Sequence, residues 1–308
     1  MSARLAVSAA GLEFQNPILL AAGTAAYGRE LADVMPLEEL GGFVTKAVSL
    51  EERKGAPAPR VADFDGGMIN AVGLANPGVD RVLAEDLPWI AAEVRRPRVL
   101  VNVVGREASD FGAVVARMDG APGFQGFELN VSCPNVKQGG LEFGADPVAL
   151  AEVIRGARAA TRKPIFVKLS PTLPKVADVA RAAVDSGADG ITVINTIPGL
   201  VIDVARRRPM LGFGSGGVSG PGLLAVGMLA VHRVRQAVQV PIIGAGGVQH
   251  ATDVLQYLIA GASAVAVGTA GLADPKLPAR LVRDLDGWCV AHGVTRLADL
   301  IGTLEWPS

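Results

Sequence analysis

Short apolar runs, each closed off by glycine, proline or a polar side chain, recur along the chain at 17–22, 42–48, 99–104, 127–131, 165–169, 190–194, 241–244 and 264–268. Most carry Val, Ile or Leu at successive positions without polar alternation, the mark of strands buried on both faces of a parallel sheet. Between them the period changes. In 79–94, 147–160, 175–186, 222–238 and 251–260 apolar residues return every three or four positions, as on a helix with one face against a core. Asp146-Pro147 supplies an N-cap followed by proline at the first helical position, and Gly187 and Gly261 stand where helices should stop. Strands alternating with helices over 308 residues predict an α/β fold, one (β/α)8 TIM barrel spanning 1–308, with a doubly wound sheet as its competitor. Long loops are expected after strands two (49–77), four and six (195–221), all on the C-terminal face that carries the chemistry of barrel enzymes.

Composition narrows the function. Half the residues are hydrophobic and 19% are charged, enough apolar surface for a large core, which excludes disorder. With 29 Lys and Arg against 30 Asp and Glu, nothing drives the chain as a whole toward nucleic acid or an anionic membrane. Residues 1–13 lack the basic-then-apolar layout of a secretory signal, and no stretch approaches the ~18 uninterrupted apolar residues of a membrane helix. The expectation is a cytoplasmic protein acting on small molecules. Two cysteines, Cys133 and Cys289, make no disulfide framework and cannot supply the four thiolates of an iron–sulfur cluster.

The polar residues gather at predicted strand exits: Lys46, Asn102, Asn130, Cys133, Lys168, Asn195 and Thr196. A single asparagine there is ordinarily a turn or cap. Several amides converging with two lysines point instead to a ligand, since an ammonium in an apolar strand needs a partner or a polar cavity; a structural salt bridge is the other reading. After strands seven and eight, 244–247 (Gly-Ala-Gly-Gly) and Gly268-Thr269 present bare backbone N–H groups where many barrels hold phosphate. The run 212–222 is either a third wall of that cradle or a loop. Its Gly212-x-Gly214-x-x-Gly217 spacing is not read as a dinucleotide fingerprint, because 206–210 is no strand. Cys133, at the exit of strand four before Gly139-Gly140, suits an accessible base or nucleophile under a lid, with packing as the alternative. Cys289 reads as core. His232, His250 and His292 lack metal-ligand spacing, and no metal site is expected.

In order along the chain stand 21–24 (Ala-Ala-Gly-Thr), Lys46, 68–78 (Met-Ile-Asn-Ala-Val-Gly-Leu-Ala-Asn-Pro-Gly), 130–135 (Asn-Val-Ser-Cys-Pro-Asn), 167–170 (Val-Lys-Leu-Ser), 194–196 (Ile-Asn-Thr), 216–220 (Gly-Gly-Val-Ser-Gly), 244–247 and Gly268-Thr269. With these motifs the chain resembles, over essentially its whole length, the dihydroorotate dehydrogenases, specifically the cytosolic class 1 enzymes. The resemblance implies an oxidoreductase with one FMN per chain that oxidises (S)-dihydroorotate to orotate, the redox step of de novo pyrimidine (UMP) biosynthesis. It makes Cys133 the base, where membrane-associated class 2 enzymes use serine. The thiolate would take the C5 proton while hydride passes from C6 to N5 of the flavin. A thiol with a pKa of ~8.5 would then give activity that rises into the slightly alkaline range. Substrate would be held by Lys46, Asn70, Val72, Gly73, Leu74, Asn130, Asn135, Asn195 and Thr196, whose amides match a pyrimidine's edges. The flavin would be held by Ala22, Gly23, Lys46, Ala47, Asn102, Asn130, Lys168, Ile194 and Gly220. Its phosphate would lie on Gly246, Gly247, Gly268 and Thr269, with Lys168 on the N1 and O2 side of the ring.

The segment 133–140 (Cys-Pro-Asn-Val-Lys-Gln-Gly-Gly) resembles the NAD-dependent class 1B catalytic chains. That implies an electron-transfer subunit carrying FAD and a [2Fe-2S] cluster, in a heterotetramer with a homodimeric catalytic core. The segment 211–215 (Leu-Gly-Phe-Gly-Ser) departs from the more polar class 1B pattern. Other readings of the same residues are a fumarate-dependent class 1A enzyme, a dihydropyrimidine dehydrogenase-like FMN barrel, a non-redox phosphate-binding barrel lyase or isomerase, and a flavin-binding scaffold.

Overall fold

Eight parallel strands close into a barrel in chain order: β1 (Ile18–Leu20), β2 (Gly42–Val44), β3 (Arg98–Val103), β4 (Gly126–Asn130), β5 (Ile165–Leu169), β6 (Gly190–Val193), β7 (Ile242–Ala245) and β8 (Ala264–Val267), which returns to β1. The structure is a computed structural model and describes residues 3–132, 134–135, 141–173 and 175–307, with 134, 135 and 141 described by their backbone. Around the barrel run α1 (Arg29–Ala32), α2 (Val79–Arg81), α3 (Leu87–Glu93), α4 (Ala108–Met118), α5 (Pro147–Ala160), α6 (Val176–Asp185), α7 (Leu224–Ala237), α8 (Ala251–Ala260), α9 (Thr269–Ala273) and α10 (Leu277–Ala291). Among the described residues no helix is long and apolar enough to cross a membrane.

The unbroken apolar runs have a direct cause. Alternate residues of each strand serve two separate cores. Leu19, Val44, Leu100, Phe166, Ile243 and Ala264 point into the barrel, where Val7, Ala9 and Phe14 of an antiparallel hairpin (Val7–Ala9 with Leu12–Phe14) pack against them. The guanidinium of Arg98, the first residue of β3, donates to the Glu13 carbonyl at 2.8 Å, so the hairpin plugs the N-terminal end. The alternate set, including Ile18, Val99, Phe127, Ile165 and Val167, packs outward in the helix layer.

The predicted stops and starts hold. The Asp146 carboxylate accepts from the Val148 N–H at 2.9 Å with Pro147 opening α5. Gly187 and Gly261 take φ of 111° and 117°, where a side chain would be strained. The helix predicted over 79–94 differs: a π-helical turn, Val82–Asp86, separates α2 from α3. Pro88 has no N–H for the carbonyl four residues back and its ring needs room there, so the ladder widens just before it.

The connections after β2 and β6 are built rather than loose. Each contributes two strands to one antiparallel sheet across the C-terminal mouth, in the order Ile197–Gly199, Gly216–Ser219, Gly67–Asn70, Val61–Phe64. Arg208–Pro209 does pair as a short strand with Ile202–Asp203, contrary to the expectation for 206–210, but the glycines of 212–217 run on into the sheet across the mouth, not into a strand–turn–helix unit. A Cβ on Gly217 would fall 2.0 Å from the Thr196 hydroxyl, so neighbouring strands can meet here only without a side chain.

Candidate active site

Between the barrel mouth and this cap sheet lies a cavity of about 1230 Å³, above the roughly 300–1,000 Å³ of a single small-molecule pocket. Every described residue the sequence singled out for cofactor or substrate lines it: Ala22, Gly23, Lys46, Ala47, Asn70, Val72, Gly73, Leu74, Asn102, Asn130, Lys168, Ile194, Asn195, Thr196, Gly220, Gly246, Gly247, Gly268 and Thr269. Cys133 lies outside the described residues, as does the side chain of Asn135. The other cysteine, Cys289, is fully buried in α10, and burial with nearby Asp286 pushes its thiol up, consistent with a core role. Among the described residues no group of His, Cys, Asp and Glu could hold a metal ion.

The floor is a buried polar layer set by strand alternation. Phe166 points inward on β5, so Lys168 two residues on does too; in the barrel register it neighbours Asn130 on β4 and Thr192 on β6. The Glu128 carboxylate, 1% exposed, accepts from the Asn102 amide at 2.8 Å, while the Lys168 ammonium stands 4.0 Å away. That separation is an ion pair but not a hydrogen bond, which leaves the ammonium's donors to the cavity. The structural pairing weighed for Lys168 is therefore present together with its exposure to the site. Among the described residues the hydroxyl of Thr192, 1% exposed, has no hydrogen-bond partner.

One wall is amide-rich. Asn195 donates to the Asn130 side-chain oxygen, Oδ1, at 3.4 Å and uses its own side-chain oxygen to accept from the Thr196 N–H at 2.8 Å. Asn130 also accepts from the Ser132 N–H at 3.3 Å, which ties the wall to the residue before Cys133. Across the cap sheet Asn70 donates to the Gly217 carbonyl at 3.2 Å. Glu142 and Ser170 close this side; burial pushes the Glu142 carboxyl up, and a hydrogen bond from Ser170 partly offsets it.

The opposite end is a cradle of bare backbone. Gly246 and Gly247 have φ of 121° and 74°, and a Cβ on Gly247 would stand 2.4 Å from the Leu224 nitrogen. Among the described residues the N–H groups of Gly246, Gly247 and Gly268 donate to no protein acceptor. Tyr257 fixes this exit from below, its hydroxyl donating to the Ala245 and Gly246 carbonyls at 3.0 and 2.8 Å. Thr269 donates to Ser219 of the cap sheet at 2.7 Å. Successive unpaired N–H groups suit a phosphate, the Ala21, Ala22, Ala47 and Ile194 surfaces suit a flat ring, and Lys168 offers positive charge: the donor set fits FMN with room left for a second ring.

Sequence reasoning missed Glu128, Ser219 and Ser170. Glu128 carried a signal: two residues before Asn130 on one strand, it had to share the inward face. Ser170 and Ser219 stand inside the 167–170 and 216–220 motifs, but their contacts, to Glu142 and Thr269, join separate stretches of chain and no role could be read for either.

The family model for dihydroorotate dehydrogenase matches residues 4–288. A relative from Pelobacter propionicus, the catalytic subunit of dihydroorotate dehydrogenase B (NAD(+)), is 45% identical over 305 residues, covering 99% of this chain and all of that protein. A relative from Solibacter usitatus, provisionally named dihydroorotate dehydrogenase A (fumarate), is 43% identical over 99% of this chain and all of its own length. A crystal structure of the Eimeria tenella dihydroorotate dehydrogenase with ferulenol superposes with a TM-score of 0.83 over 98% of this chain and 89% of that one, at 24% identity, a likeness of fold.

Proposed function

The chain belongs to the dihydroorotate dehydrogenase family, an enzyme family of pyrimidine biosynthesis, and from that premise we propose how its residues divide the oxidation of dihydroorotate to orotate. The convergence of the amide wall, Lys168 and the bare N–H cradle on one cavity is the observation that supports this reading most.

Gly246, Gly247, Gly268 and Thr269 would hold the phosphate of FMN, and Ala22, Gly23, Ala47, Asn102, Ile194 and Gly220 its ring, a group that when bound would supply a two-electron acceptor for hydride. Lys168 would offer positive charge to the reduced flavin, and Glu128 keeps that ammonium from standing unpaired in an apolar barrel. Asn70, Asn130, Asn135, Asn195 and Thr196 orient the substrate by matching its donors and acceptors. Lys46 and the N–H groups of Gly73 and Leu74, which line the cavity, face its carboxylate. Cys133, three residues beyond Asn130, takes the proton from C5 of the substrate.

With two cysteines and no dinucleotide fingerprint, the chain would pass electrons to NAD+ through a partner subunit carrying FAD and a [2Fe-2S] cluster, around a homodimeric catalytic core.

Anaerobic titration of the yellow protein with dihydroorotate, beside Cys133→Ala, tests the assignment. The flavin band should bleach in the native protein, faster as pH rises toward the thiol's pKa, and bleach slowly or not at all in the variant. A yellow protein that dihydroorotate leaves oxidised overturns the substrate, and equal bleaching by dihydrouracil favours the dihydropyrimidine reading. A colourless protein that takes up no FMN overturns the redox reading altogether. Reoxidation of the bleached chain by fumarate, and not by NAD+ with a partner subunit, would place it with the A type.

A further inference from the structure

The wall formed by Gly73 and Leu74 is held in an uncommon conformation. Gly73 has φ of 68° and Leu74, a branched residue, has φ of 56°, a region that such side chains seldom occupy unless their surroundings impose it. Among the described residues the N–H groups of both donate to no protein acceptor, and both residues line the cavity. The imposing group is Asn76. Its side chain, in a residue 5% exposed, donates to the Leu74 carbonyl at 2.9 Å and to the Ser49 hydroxyl at 2.8 Å, and its oxygen accepts from the Ser49 and Gly78 N–H groups at 3.2 and 2.9 Å. Ser49 lies three residues beyond Lys46, and Gly78 opens α2. One buried amide thus references three pieces of chain to each other: the exit of β2 that carries Lys46, the left-handed turn, and the start of the helix behind it.

We propose that Asn76 is a positioning residue for recognition of the substrate carboxylate, holding the Gly73 and Leu74 N–H groups in register with Lys46; this rests on the functional reading above. Asn76 does not line the cavity, so it acts only through the turn. A buried clamp of this kind organises donors before the anion arrives, and the gain appears in binding of the charged group rather than in the chemical step.

The test uses the FMN-loaded enzyme with Asn76→Ser, which shortens the clamp, and Ser49→Ala, which removes one hydroxyl partner from it. Binding of orotate and of uracil, the same ring without the carboxylate, is followed through the flavin spectrum. In Asn76→Ser the preference for orotate over uracil should shrink about tenfold, and KM for dihydroorotate should rise by a similar factor while the limiting rate of bleaching changes much less. Ser49→Ala should move the same way by a smaller amount, and it decides the matter if Asn76→Ser does not fold. An unchanged orotate-to-uracil preference, or a fall in limiting rate with KM constant, overturns the proposal. Native enzyme that binds no orotate overturns the parent reading and this one with it; native binding matched by both variants overturns this one alone.

Discussion

Lys168 owes its usefulness to a distance. At 4.0 Å from Glu128 it is close enough to be neutralised and too far to be hydrogen-bonded, while Asn102 donates to the same carboxylate oxygen at 2.8 Å. Lys168→Met should therefore weaken retention of FMN by about 10–100-fold, the range set by losing one hydrogen bond to a charged group, and slow bleaching by dihydroorotate. Fluorescence titration of the apoprotein with FMN measures the first effect, and equal affinity would remove the role. Glu142 titrates in the opposite sense to an ion-paired carboxylate. Burial raises its folded pKa, so the native state holds the proton above the pH at which the unfolded chain releases it. Stability from this group is full below the ordinary carboxylate range and falls as pH rises through the raised value. Glu142→Gln should accordingly raise Tm at neutral pH and lose that advantage near pH ~4; an equal difference at both pH values would contradict it. At this scale the lysines and asparagines were legible because each is an anomaly in an apolar strand. Glu128 was passed over because the run around it read as apolar, and Ser219 and Asn76 because their partners lie 50 and 27 residues away in sequence.

Elements carry the cradle as much as residues do. Tyr257 on α8 is fully buried, and its hydroxyl is the donor for two carbonyls at the end of β7, with burial pushing its phenol well up. It fits only because two elements leave space: a Cβ on Gly227 of α7 would stand 1.9 Å from that hydroxyl, and one on Gly244 of β7 would stand 2.6 Å from its ring. In an exposed helix Gly→Ala stabilises by about 1 kcal/mol. Here overpacking wins, and Gly227→Ala should destabilise by ~1–3 kcal/mol, measured by urea denaturation. Adding Tyr257→Phe should recover part of that loss, since the clashing oxygen is gone, although the Gly246 carbonyl then loses this donor; the Ala245 carbonyl keeps the Ile194 N–H at 3.2 Å. Strict additivity of the two changes would show that they do not meet. The eight strands were readable as runs, whereas α4 was not among the predicted helices although Phe111, Val114, Val115 and Met118 recur at helical spacing. The hairpin at 7–14 was not readable, because three-residue strands are too short to display a period, nor was the cap sheet, whose Gly216-Gly217 stretch has no side chains to alternate.

For the whole molecule, the balanced charge of −1 conceals an uneven surface. Beyond the cap sheet, the connection after β6 exposes Leu200, Ile202 and Val204, between 54% and 84% accessible, around the hairpin of Ile202–Asp203 with Arg208–Pro209. Exposed apolar side chains on one excursion, on a surface otherwise well supplied with ion pairs, suit a protein–protein contact. A second copy of the chain suits the homodimeric core proposed above, and a two-fold axis would cover the same residues on both protomers. The excursion also carries Thr196 and Ser219 to the site, so self-association would steady the cap sheet over the cavity. Replacing Ile202 and Val204 together by glutamate should shift the protein from dimer to monomer in sedimentation equilibrium, because burying two carboxylates unpaired costs more than the contact returns. The native Tm should rise with protein concentration and the variant's should not. A native protein that sediments as a monomer, or a variant that stays dimeric, would move the interface off this excursion and leave its apolar face to a different partner.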